Sequence, residues 1–179
     1  ATVGHGLSVT PSMFIVKQRS SAGESWATYH TSMGPTKYMD LNGTAGVSTS
    51  ITRWNDTAPT STVFSLGSAL DANTSGATMV AYCFAEGAGY SKFGSYTGNG
   101  STDGPFVYTG FRPRYIMIKR TDTGSDWWIY DTARSTYNVD GTVLRPNDTS
   151  AETTDTTNLG MDITSNGFKW RASYAGVNA

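Results

Sequence analysis

The chain has 179 residues, of which 15% are charged, and a net charge of −1, so there is no basic field of the kind that neutralises phosphates or docks on anionic lipid. Nucleic acid and membrane surface are thereby excluded as partners, and no apolar run approaches the roughly 18 residues that a membrane-spanning helix needs. The single cysteine, Cys83, has no partner for an intrachain disulfide, and a composition rich in Gly, Thr, Ser, Tyr and Trp but poor in helix-forming blocks is the vocabulary of β-sheet.

Short apolar runs recur along the chain: "MFIVK", "WATYH", "KYMDL", "TVFSL", "TMVAYCFA", "KFGSYT", "PFVYTGF", "YIMIKR", "WWIYD", "GTVLR" and "FKWRASY". Between them lie segments such as "LNGTAG", "DANTSG", "TGNGSTDG" and "TSNG", whose Gly, Asn and Asp tolerate the positive φ of tight turns. This spacing predicts an all-β chain built as an antiparallel β-sandwich of jelly-roll or lectin-like type, with no sustained helix. "MFIV" and "YIMI" are continuous rather than alternating and are predicted to be central strands, covered on both faces. "SNG" before "FKW" and "VDG" before "TVL" are the clearest hairpin signals.

The chain also repeats itself. Pro11 and Lys17 recur as Pro113 and Lys119, and Trp26, Tyr29 and Thr31 recur as Trp127, Tyr130 and Thr132, with one residue dropped from the intervening turn. An internal duplication predicts two related sandwich units, residues 1–88 and 89–179. The first continues into "ATMVAYCFAEG"; the second has no such closing strand. The expectation is that a neighbouring segment or subunit supplies it, because the sheet edge otherwise stays open.

Signals for chemistry are sparse. His5 and His30 are the only histidines and lack Glu or Cys at ligand spacing, so neither a metal site nor a cofactor is expected. No phosphate loop or nucleophile elbow is present. Asp126, Asp131 and Asp140 could be imagined as a glycosidase pair, but aspartates at turn positions are far more often backbone caps. Trp26 with Trp127, and Tyr29 with Tyr130, read as core anchors that each copy needs. Trp54 and Trp128 have no counterpart in the other copy and sit beside Arg, Asn and Asp, the setting that sugar-ring stacking uses. With Tyr137, they are the candidate glycan-binding residues.

The strings "GHGLSVTPSMFIVK", "TGFRPRYIMIKR", "WWIYDTAR" and "GATMVAYCFAEG" resemble the repeated β-rich domain of tail-fibre and other virion structural proteins of tailed bacteriophages. The resemblance spans nearly the whole chain and carries no catalytic motif. It implies a non-enzymatic segment of a phage tail fibre or similar appendage, located in the virion. Its implied partners are other virion subunits in a homo-oligomer, trimeric in the usual fibre arrangement, and host-surface polysaccharide. A capsid decoration protein of the phage head is the main alternative, and a polysaccharide depolymerase the lesser one.

Overall fold

The computed structural model describes all residues, 1–179. They form two compact units, Ala1–Gly87 with Ser91–Gly94, and Ala88–Tyr90 with Ser95–Ala179.

The first unit contains β1 (Thr2–Gly4), β2 (Met13–Gln18), β3 (Trp26–His30), β4 (Lys37–Asp40), β5 (Ser48–Thr49), α1 (Ile51–Trp54), β6 (Val63–Ser65), α2 (Leu70–Asn73) and β7 (Met79–Phe84). Five of its strands make an antiparallel sheet in the order β5-β4-β3-β2-β7, and β1 pairs with β6 in a separate ribbon. Successive side chains of a strand point to opposite faces. Phe14 and Val16 of β2 therefore meet Ala27 and Tyr29 of β3 on one face, and there they pack against Phe64 and Leu66 of the ribbon, Trp54 of α1 and Ala72 of α2. The sequence predicts no helix here, yet two single turns form. One is capped by the Ser50 hydroxyl, which accepts from the Thr52 N–H at 3.3 Å, and it ends at Asn55 in the left-handed region, φ 53°.

The second unit contains β8 (Phe106–Tyr108), β9 (Tyr115–Lys119), β10 (Trp127–Asp131), β11 (Thr142–Leu144), β12 (Thr153–Thr154), β13 (Met161–Thr164) and β14 (Gly167–Trp170). Its main sheet runs β12-β11-β10-β9, and a second sheet runs β13-β14-β8. Ile116, Ile118, Trp128, Tyr130 and Val143 of the first sheet share one core with Met161, Ile163, Phe168 and Trp170 of the second. The fold is thus all-β, with antiparallel sheets layered over buried aromatics.

The repeat is visible in the register. Lys17 lies opposite Trp26 and Met13 opposite His30, just as Lys119 lies opposite Trp127 and Tyr115 opposite Asp131. The Trp26 backbone N–H donates to Asn42 Oδ1 at 2.9 Å, and the Trp127 N–H donates to Asn147 Oδ1 at 2.8 Å.

Several expectations need correction. "YIMI" forms β9, which ends its sheet, so Tyr115 is exposed where a central strand would bury it. "KFGSYT" forms no strand, since its glycine, serine and threonine leave too few apolar positions to line a face. "VDG" is not a hairpin; Asp140 bridges to the distant Met161 instead. "SNG" does make the tight β13–β14 hairpin, with Thr164 opposite Gly167.

Candidate functional site

In β2 the even-numbered residues face the core, so Met13, Ile15 and Lys17 face outward. The register sets Lys17 beside Trp26 on one side and Val80 on the other, and Ile15 beside Tyr82. Trp26 and Tyr82, from the two strands flanking β2, consequently lie over the same outer face. Their rings are near-parallel, with an interplanar angle of 12° and centroids 6.3 Å apart.

These rings border an open groove of about 500 Å³ that Lys17, Gln18, Arg19, Ser21 and Val80 also line. The Lys17 ammonium donates to the carbonyls of Ser21 at 3.1 Å and Glu24 at 2.9 Å, tying the β2–β3 loop to the groove's rim. Neither Lys17 nor Arg19 is ion-paired with a carboxylate. Gln18 donates through Nε2 to Ser20 at 3.1 Å, while its Oε1 is buried with no hydrogen-bond partner. Ring faces of this kind take the flat apolar face of a sugar or a planar group, and unpaired cations beside them favour an acidic substituent.

The residues singled out from sequence lie elsewhere. Trp54 is fully buried, its ring edge-on to Phe14 at 4.9 Å, and its Nε1–H donates to the Lys37 carbonyl at 3.0 Å. Trp128 is buried too, edge-on to Tyr174 at 6.1 Å with the Arg145 guanidinium 5.6 Å from its ring. A ring closed on both faces offers nothing to a sugar, which corrects the expectation for both tryptophans. Tyr137 is 85% exposed and is not among the residues that line the Trp26–Tyr82 groove. Trp26, read as a duplicated core anchor, is only half-buried while its counterpart Trp127 is buried. No signal in the sequence marks Tyr82, although it stands in β7, the strand of the first main sheet that the second main sheet lacks.

Apart from Asp126, the remaining polar candidates serve the backbone. His5 Nδ1 accepts from the Leu7 N–H at 3.2 Å, and His30 Nδ1 accepts from the Ser32 N–H at 3.1 Å. Asp131 Oδ1 accepts from the Ala133 N–H at 2.8 Å and Asp140 Oδ1 from the Thr142 N–H at 2.9 Å. Asp126 accepts from Asn147 Nδ2 at 2.8 Å. Burial pushes the Asp140 carboxyl above the usual range, outweighing its hydrogen bonds. No three His, Cys, Asp or Glu side chains converge as a metal site would require.

The chain belongs to the family described as a domain of unknown function (DUF7483), whose profile matches residues 1–179. No curated protein and no solved structure matches it.

Proposed function

We propose that the chain is a non-enzymatic structural unit of a phage virion appendage of the tail-fibre type, and that its first unit touches host-surface glycan through the Trp26–Tyr82 groove. The appendage part of this reading is supported by the strings that resemble tail-fibre domains and by the duplicated β unit, a construction that suits elongated assemblies. The glycan part is carried by one observation: two near-parallel aromatic faces and two unpaired cations line a single open groove.

An acidic polysaccharide is the ligand class that this lining favours. Trp26→Ala and Tyr82→Ala are each expected to weaken attachment to host cells or isolated capsule by about tenfold, the ~1.4 kcal/mol of one aromatic contact. Trp26→Ala keeps the backbone N–H that Asn42 accepts, so the strand survives the change. Arg19→Glu is expected to weaken attachment as well, and raised salt to weaken the parent protein more than the Arg19→Glu variant. Unchanged attachment in all three variants would remove the groove from the reading. Tracing the chain in a cryo-EM map of the intact virion tests the appendage: density on the capsid lattice would overturn it.

A further inference from the structure

The two main sheets differ by one strand. In the first unit β2 is sandwiched between β3 and β7; in the second its counterpart β9 pairs with β10 alone. The Thr132 N–H donates to the Arg114 carbonyl at 2.9 Å, as the Thr31 N–H does to Ser12 at 2.8 Å. Ladder groups alternate sides along a strand, so Ile116 and Ile118 bond toward β10 while Tyr115, Met117 and Lys119 turn theirs outward. On β2 the matching outward edge is occupied, as the bond from the Arg19 N–H to the Thr78 carbonyl at 2.8 Å shows.

Burial follows the same difference. Met13 and Ile15, in register with Phe84 and Tyr82 of β7, are 5% and 6% exposed, whereas Tyr115, the counterpart of Met13, is 56% exposed. Met117, the counterpart of Ile15, is half-buried. The second unit does keep the turn that leads into β7 in the first. Asn178 donates from its backbone N–H to Tyr174 O at 2.9 Å and from Nδ2 to Ala172 O at 2.8 Å. Asn73 likewise donates to Ala69 O at 2.8 Å and Gly67 O at 2.7 Å.

We infer that the outer edge of β9 is a docking site for one antiparallel strand of β7's chemistry. The first unit specifies the occupant. On the core side of the sheet β7 carries the half-buried Cys83, packed against the core, and the small, exposed Ala81; on the other side it carries Val80, Tyr82 and Phe84, in register with Lys17, Ile15 and Met13. Transposed onto β9, Phe84 falls opposite Tyr115, Tyr82 opposite Met117 and Val80 opposite Lys119. Strand addition of this kind takes its affinity from main-chain bonds and its selectivity from alternate side chains. The interaction is independent of the glycan groove, so either can fail without the other.

The experiment uses the full chain and a fluorescent peptide of residues 77–86 carrying Cys83→Ser, read by anisotropy and by hydrogen exchange. Saturable binding that slows exchange of the Tyr115, Met117 and Lys119 amides is expected. The same peptide with Val80→Pro, which removes an N–H that points at the partner strand, is expected to lose at least tenfold in affinity. Met117→Pro in the protein deletes one outward donor while sparing the β10 ladder, and should abolish binding; the proline peptide carries the test should that variant not fold. Absence of saturable binding, equal binding of the proline peptide, or protection away from β9 would overturn the proposal. So would light scattering showing a dimer whose β9 amides are protected without peptide, because the occupant would then be a second copy's β9.

Discussion

Trp54 and Trp26 are the same side chain put to opposite uses, and substitution separates them. Trp54 fills the centre of the first core against Phe14 and Tyr29 and satisfies its indole N–H on Lys37. Trp54→Ala leaves both a cavity and an unmatched carbonyl, with an expected cost of about 3–5 kcal/mol in urea unfolding. Trp26→Ala removes a half-exposed ring from an outer face; about 1 kcal/mol or less is expected, the scale of one cross-strand pair, with the larger effect on attachment. The sequence shows that both positions are aromatic but not which side of a sheet each ring occupies. Polar neighbours made Trp54 look exposed. Of those neighbours Asn55 and Asp56 are exposed, while Arg53 is tied down by its own partners, bridging Asp40 at 3.0 Å and Asp71 at 2.7 Å and lying 3.6 Å over the Tyr38 ring.

At the scale of the element, the end of β3 and the end of β10 make the same turn with different chemistry. His30 Nδ1 and Asp131 Oδ1 each accept from the backbone N–H two residues on. Burial lowers the pKa of His30 below its ordinary 6.5, because the charged imidazolium loses hydration, and protonation would also destroy the acceptor. The folded state therefore binds a proton less readily than the unfolded one. Its contribution is fully present above about pH 6.5 and is lost as pH falls through the lower folded value. His30→Asp keeps the acceptor and is expected to flatten the fall in stability that the parent shows as pH drops below 6.5, as read by thermal unfolding. Elements were legible where apolar runs were long, as in β2, β3 and β10. They were not where the strand is two polar residues, as in β5 and β12, or where a helix is a single turn that never completes a hydrophobic period. "YIMI" misled for a different reason: its continuous apolarity matches a central strand, yet β9 lies at an edge.

For the whole molecule, each unit encloses its own core. The cluster around Trp54 draws only on residues of the first unit, and the cluster around Trp170 only on residues of the second. Residues 1–94 contain the whole of the first unit, including the five-stranded sheet with β7 in place and the pair formed by His30 and Phe93 at 6.2 Å. All buried neighbours of Phe14 are therefore present in that fragment, and no strand in it lacks the partner that it has in the full chain. Residues 1–94 produced alone are expected to unfold in one cooperative urea transition, with the midpoint and slope that the first unit shows within the full chain, because the slope tracks the area exposed by the unit that unfolds. Hydrogen exchange should then find the outward amides of Met13, Ile15 and Lys17 slow in the fragment, since β7 still covers them. A broad, non-cooperative transition, or rapid exchange along β2, would mean that the first unit depends on the second for its core, and the division of the chain into self-sufficient halves would fail.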